Sequence, residues 1–292
     1  MARVELKRKL EQGEFFYAPG VYDMLSTLMA NRMDFDFVYA SGFWLTASYL
    51  GIPDAGIATY TEMLNRISRV VELSTAPVIA DADTGFGGLL NVQNTVKGFE
   101  RAGVSGIQIE DQEFPKKCGH TPNRRVVSVE DMEVRLKVAL DNRADENMLI
   151  IGRTDSRTGE GIDEALHRAQ CMAELGVDLV FIEALETKEE MRRAVAEVPA
   201  PLIANMSTSG VTPYCSVAEL ETMGFSSAIY PAMAALAANN AVEQSMLKLK
   251  QQGICEPDDV PMFDFAETCK MLGFEDVWEF EKKWADGLKN KS

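Results

Sequence analysis

A (β/α)8 barrel, with parallel strands wrapped in helices, is the fold that this sequence predicts. Three observations carry it. Eight short apolar runs recur, at residues 15–18, 35–39, 77–80, 106–109, 148–151, 179–182, 201–204 and 227–230. Nearly all are continuous rather than alternating, as strands buried on both faces require. Helical patterns fill the gaps, and regular strand–helix alternation implies parallel strands joined by helical crossovers. Eight such units in about 250 residues is the arithmetic of a closed barrel. An open doubly wound sheet is the alternative, but no GxGxxG turn follows the first strand.

The elements follow in order. After the runs FFYA and FDFVY, residues 60–73 place Met63, Leu64, Ile67, Val70 and Val71 on one helical stripe. Beyond PVIA, a helix over 92–102 stops at Gly103, a residue type suited to a left-handed cap. After GIQI, Ser128 and Asp131 form a near capping box for a helix over 129–142. Helices over 163–175 and 217–223 end at Gly176 and Gly224, and one over 187–198 ends at Pro199. Past the eighth strand, residues 232–251 read as a long Ala- and Met-rich helix. No linker interrupts the chain, so a single domain over 1–292 is expected, with a helical extension from about 253 to 292. That extension carries Phe263, Phe265, Met271, Leu272, Phe274, Val277, Trp278, Phe280 and Trp284. Such apolar area exceeds what a monomer usually exposes, so it should pack on something, plausibly another subunit.

Composition narrows the function. A formal charge of −16 offers no basic field for nucleic acid. No apolar run approaches the roughly 18 residues of a membrane span. The charged start MARVELKRKLEQGEFF lacks the apolar stretch of a signal peptide. The five cysteines form no CxxC and are odd in number, which fits reduced thiols in the cytoplasm. Cys171, Cys215, Cys255 and Cys269 read as packing residues.

The chemistry gathers where the strands end, because barrel active sites lie at the C-terminal mouth. Those positions hold Tyr39, Ser41 and Gly42, then Asp81 and Asp83, Glu110 and Asp111, Arg153 and Asp155, Glu183, Asn205 and Ser207. Clustered carboxylates repel unless a cation neutralises them. Oxygen donors without a His/Cys pair indicate a hard cation, Mg2+ or Mn2+. Arg153 is suited to gripping a substrate carboxylate. The stretch 105–120, SGIQIEDQEFPKKCGH, runs from a strand into a loop in which Lys116, Lys117 and His120 flank Cys118. Positive neighbours ease proton donation by a thiol, and Gly119 gives the loop freedom to move as a flap.

These residues resemble a known family. DADTGFG at 81–87, IEDQ at 109–112, KKCGH at 116–120, LGIPD at 50–54, GRTD at 152–155, IEA at 182–184 and ANM at 204–206 are similar to the isocitrate lyase/phosphoenolpyruvate mutase superfamily. The likeness runs from about residue 10 to the C-terminus, and the KKCGH loop marks the lyase branch. The resemblance implies Mg2+ bound directly by Asp83, with Asp81, Asp54 and Glu110 holding its waters. It implies Ser41, Gly42 and Arg153 on the 2-oxo-acid half of a substrate, and Asn205 and Ser207 on the other carboxylate. Cys118 would protonate the departing carbanion, with Lys117 and His120 tuning the thiol. Tyr39, or a water held by Glu110, would handle the hydroxyl proton. A terminal helix exchanged between subunits, usually within a homotetramer, is implied as well.

The implied reaction is cleavage of a 2-alkylmalate such as 2,3-dimethylmalate to pyruvate and propionate. Methylisocitrate cleavage and oxaloacetate hydrolysis are the alternatives. Two departures bear on the choice. Gln108 stands where tricarboxylate-cleaving members resemble one another in having histidine, and residues 232–241 hold no Arg or Lys. Phe43, Trp44 and Leu45 add apolar bulk after strand two, which suits an alkyl substituent.

Overall fold

The computed structural model describes residues 2–119, 121, 124–208 and 210–289. Its sheet is built from β1 (Phe16–Val21), β2 (Val38–Ala40), β3 (Val78–Asp81), β4 (Gly106–Glu110), β5 (Leu149–Thr154), β6 (Leu179–Ile182), β7 (Ile203–Asn205) and β8 (Ser227–Tyr230). All pair in parallel in the order β6-β5-β4-β3-β2-β1-β8-β7. A single parallel bridge, Val180 to Leu202, links the two ends. The result is a nearly closed eight-stranded barrel.

Two apolar layers form because each strand alternates its side chains. Ile107 and Ile109 face outward into a core shared with Met63, Ile67, Val70, Val96, Phe99, Met132 and Leu136 of the surrounding helices. Ile79, Leu149, Ile151, Leu179, Phe181, Ile203 and Ile229 face inward and fill the barrel. Ten residues at the N-terminus, Ala2–Glu11, form α1, which periodicity alone did not mark. Its Leu6 and Leu10 join the interior cluster with Phe16 and Phe37, so α1 packs on the barrel's inner core.

The helices that follow are α2 (Met24–Ala30), α3 (Gly42–Leu50), α4 (Tyr60–Leu73), α5 (Leu89–Ala102), α6 (Val129–Asn142), α7 (Arg157–Glu160), α8 (Ile162–Leu175), α9 (Lys188–Glu197) and α10 (Val217–Met223). The sequence patterns locate α4, α6 and α10 to the residue. Helix α4 opens on a capping box between Thr59 and Glu62 and buries Met63, Ile67 and Val70. Each such burial stabilises by about 1.5–3 kcal/mol. Helix α5 starts three residues earlier than its periodicity suggests, because Leu89 and Leu90 are exposed and add nothing to the stripe.

The chain divides into two compact units, Met1–Ala235 and Leu236–Ser292. The first holds the barrel. The second contains most of α11 (Met233–Gln252), with α12 (Phe265–Met271) and α13 (Phe274–Lys289). Phe265, Trp278, Phe280 and Trp284 are exposed on it. Among the described residues, no helix is long and apolar enough to cross a membrane.

Candidate active site

The period of two carries the core up into a polar rim. Ile79 is followed by Asp81, Gln108 by Glu110, Ile151 by Arg153, Phe181 by Glu183 and Ile203 by Asn205. The lower member of each pair is buried in the barrel, so the upper member stands at its mouth. Register then sets the neighbours: Glu110 is the β-partner of Arg153, and their side chains lie 3.4 Å apart. Asp111, one residue on, points the other way. Its carboxylate accepts from the Asp155 amide at 2.9 Å and the Thr154 hydroxyl at 2.7 Å. Burial and the nearby Asp155 push it up to about 6. Grouping Asp111 with the mouth is therefore corrected: it braces the strand from behind.

Arg153 is the most heavily engaged group. Its Nε and Nη2 donate to Asp155 at 2.9 and 3.0 Å, and Nη2 also meets Glu183 at 3.0 Å. Burial would lower its pKa, but Asp155, Glu183 and Glu110 together outweigh that. A free guanidinium fork for substrate is thus not what the structure presents. Among the described residues, Nη1 is the nitrogen left without such a bond. Asn205 turns its amide to Glu183 at 3.2 Å, while its Oδ1 is buried without a hydrogen-bond partner among the described residues. Ser207 is half-buried beyond it.

The turn after β3 holds Asp83 at φ 49° and Phe86 at φ 60°, conformations that cost side-chain-bearing residues energy and persist where surroundings impose them. The Asp83 amide donates to Asp81 at 3.1 Å. Ser41 is the N-cap residue of α3, yet its side chain makes no cap bond. Gly42 backs onto Asp81, where a Cβ would stand 2.8 Å from the carboxylate. Phe43 stacks edge-on with Trp44, ring centroids 4.8 Å apart. Leu45, expected near the substrate, is instead wholly buried in the helix-facing core.

Tyr39 donates to Gln108 at 3.2 Å inside the barrel. Burial first, then the Asp81 charge, holds its pKa well above the usual phenol range. A phenol held so is a hydrogen-bond donor rather than a base. Burial likewise raises Glu110, whose Oε1 has no hydrogen-bond partner among the described residues.

The flap is seated. Lys117 is exposed, and its backbone is clasped by Gln112, which accepts from the amide at 3.0 Å and donates to the carbonyl at 2.8 Å. The lysine that enters the site is Lys116. Its ammonium lies 2.6 Å from Asp54 and 2.6 Å from Asp83, with the side chain 3% exposed. Period-two or helical reasoning has no purchase on a loop, so nothing distinguishes the two lysines of the doublet in sequence. The Cys118 amide donates to the Asp54 carbonyl at 3.1 Å, and Thr121 closes the turn on the Cys118 carbonyl. Cys118 itself is half-buried, and no disulfide joins any of the five cysteines. His120 lies outside the described residues.

Gly119 presses on the rim: a Cβ there would stand 2.3 Å from Arg153 Nη2 and 2.6 Å from Glu183 Oε2. Both side chains are held by partners, so neither can yield. We expect Gly119→Ala to lower turnover at least about tenfold while leaving the melting temperature nearly unchanged, since only flap seating is disturbed. Steady-state rates and a thermal melt check this; normal turnover would show that the flap need not seat there.

Do these groups fit a divalent cation? Among the described residues, no three Asp, Glu, His or Cys side chains close on one point as a ready-made metal cluster. The donors are nevertheless of the right kind for a hard ion with one direct carboxylate and several waters. Burial pushes Asp83 up to about 7, with Asp81 and Asp54 adding to the effect and Lys116 opposing it. The 2.6 Å contact with Lys116 is an ion pair in its geometry. Asp54, Asp81, Asp83, Glu110, Asp155 and Glu183 outnumber Lys116, Arg153 and Arg124, so the mouth retains an excess of carboxylate.

A carboxylate-rimmed (β/α)8 barrel with a cysteine loop seated on its mouth defines a class of enzyme that works at its strand ends. A family model described as phosphoenolpyruvate phosphomutase matches residues 6–250. The chain is 41% identical to 2,3-dimethylmalate lyase of Eubacterium barkeri, over 97% of this chain and 98% of that one. It is 38% identical to 2-methylisocitrate lyase of Aeropyrum pernix, over 96% of this chain and 89% of that one. A solved structure of oxaloacetate acetylhydrolase with 3,3-difluorooxalacetate aligns at TM-score 0.90 and 31% identity, over 97% of both chains. Phosphonopyruvate hydrolase in complex with oxalate and Mg2+ aligns at TM-score 0.87 and 28% identity, over 98% of this chain and 99% of that one. The chain belongs to the phosphoenolpyruvate mutase/isocitrate lyase superfamily, and its relatives by sequence are lyases.

Proposed function

We propose that this enzyme is a Mg2+-dependent carbon–carbon lyase that cleaves 2,3-dimethylmalate, or a near 2-alkylmalate, to pyruvate and a short carboxylate. The observation that carries this reading is the Cys118 loop seated over the carboxylate rim, its Cys118 amide on the Asp54 carbonyl and its Gly119 against Arg153 and Glu183. Asp83, with Asp81, Asp54 and Glu110 around it, would hold Mg2+, which would supply positive charge favouring loss of the substrate hydroxyl proton.

The chain's own residues do the rest. Ser41, Gly42 and Arg153 Nη1 hold the half that becomes pyruvate. Asn205 and Ser207 face the second carboxylate. The hydroxyl proton leaves to Glu110, directly or through water, while Tyr39 lies beneath with its own proton on Gln108. The bond from the hydroxyl-bearing carbon to its neighbour breaks, and its electron pair stays on the neighbour as a carboxylate enediolate. Cys118 gives that carbon a proton, and the hydroxyl proton, returned through solvent, restores the thiol. The seated flap excludes water while the carbanion lasts. The reduced thiols fit a cytoplasmic enzyme. The exposed Phe265, Trp278, Phe280 and Trp284 support a homotetramer built through the terminal helices.

The alkyl preference rests on likeness to the Eubacterium barkeri enzyme and on the passage from β8 into α11. That stretch reads Tyr230-Pro231-Ala232-Met233-Ala234-Ala235 and offers no cation. A third buried carboxylate would need one, because an unpaired buried charge costs several kcal/mol. With Mg2+ present, kcat/KM for 2,3-dimethylmalate should exceed that for methylisocitrate at least about tenfold, or about 1.4 kcal/mol. A coupled pyruvate assay and an oxalate assay with oxaloacetate decide. Faster cleavage of methylisocitrate, or dominant oxalate release, would overturn the assignment.

A further inference from the structure

The ammonium of Lys116 straddles Asp54, at 2.6 Å from Oδ1 and 2.7 Å from Oδ2, and touches Asp83 Oδ1 at 2.6 Å. It reaches from the flap into the carboxylate ring. Its backbone is fixed on both sides. Pro115 packs against Gly56, where a Cβ would meet it at 2.9 Å, and Lys117 is clasped by Gln112. Four carboxylates, those of Asp54, Asp81, Asp83 and Glu110, surround the position it occupies, and all are buried. The Asp83 backbone is fixed as well, its turn at φ 49° and its amide donating to Asp81 at 3.1 Å.

We propose that Lys116 and the divalent cation compete for Asp83 and Asp54, so that the flap lysine sets how tightly the enzyme holds its metal. The inference rests on the metal reading given above. Two cations cannot both occupy Asp83 Oδ1 in a site this buried, where their repulsion is weakly screened. The flexible four-carbon stem lets the ammonium withdraw while the flap backbone stays anchored. Metal binding therefore carries the cost of displacing Lys116 from Asp83. Lys116 thus sets affinity for the cation, acting through the carboxylates rather than on the reacting carbon.

The test is Mn2+ and Mg2+ binding to the full chain without substrate, by electron paramagnetic resonance and by calorimetry. Lys116→Met and Lys116→Gln are compared with the unaltered protein, with circular dichroism confirming the fold of each. Both variants should bind Mn2+ at least about tenfold more tightly than the unaltered protein. Gln keeps a polar group in case Met disturbs packing. Equal or weaker binding in the folded variants would overturn the competition and leave the metal reading intact. Absence of binding in all three proteins would overturn both.

Discussion

Replacing Cys118 with serine should lower kcat by about a hundred- to ten-thousandfold, the range over which a positioned general acid contributes. The substitution is nearly isosteric, and backbone hydrogen bonds hold the loop on either side of the sulfur. The Cys118 amide is held by the Asp54 carbonyl at 3.1 Å, and its carbonyl accepts from the Thr121 amide at 3.0 Å and hydroxyl at 2.7 Å. Gly119 seats against Arg153 and Glu183 whatever stands at position 118. Serine would keep the geometry and lose the acidity, since a thiol releases its proton near 8.5 and an alkyl hydroxyl is a far weaker acid. KM and Mn2+ affinity should therefore stay within a few fold while kcat falls. Thiol alkylation should inactivate, and a substrate analogue should protect. A serine variant within tenfold of normal turnover would remove Cys118 from the proton-donor role and leave an acid elsewhere to be found.

The barrel was legible because parallel strands buried on both faces must be apolar throughout, and eight such runs leave little choice of fold. The rim was legible for a related reason: a strand's period of two places Asp81, Glu110, Arg153, Glu183 and Asn205 above the interior residues that precede them by two positions. Asp111 escaped because residues 110 and 111 read as one acidic pair, although alternation sends them to opposite faces. Leu45 was misplaced because the turn of α3 decides which residues face the core, and α3 itself carried no periodic signal. In α3 and α1 the packing partners lie far along the chain, so local pattern does not announce them. Lys116 shows the limit most sharply. In KKCGH the two lysines are equivalent as letters, and the distinction comes from Pro115 against Gly56 and from Gln112 clasping Lys117. Arg153 was recognised as a site residue, yet its engagement by Asp155 and Glu183 depends on the ends of β5 and β6 meeting.

Replacing Asp83 should have the largest effect on activity, and asparagine is the substitution to make. The residue sits at φ 49°, a left-handed conformation that asparagine adopts readily and alanine adopts at a cost of roughly 1–2 kcal/mol. Asp83→Asn thus keeps the turn, keeps the amide tie to Asp81 and removes only the negative charge. Lys116 retains Asp54 through both oxygens, so its ammonium is not left alone. The fold should hold, with a melting temperature within a few degrees of the unaltered protein. Turnover should nevertheless fall at least about a thousandfold, equal to roughly 4 kcal/mol of lost transition-state stabilisation, because the direct carboxylate for the cation is gone. Mn2+ binding should vanish in the same titration that measures Lys116→Met. In the unaltered protein, EDTA should abolish activity and added Mg2+ should restore it. If metal-depleted enzyme turns over normally, or if Asp83→Asn still binds Mn2+ as the unaltered protein does, then Asp83 is not the anchor. The carboxylates of the rim would then owe their arrangement to Lys116 and Arg153 alone.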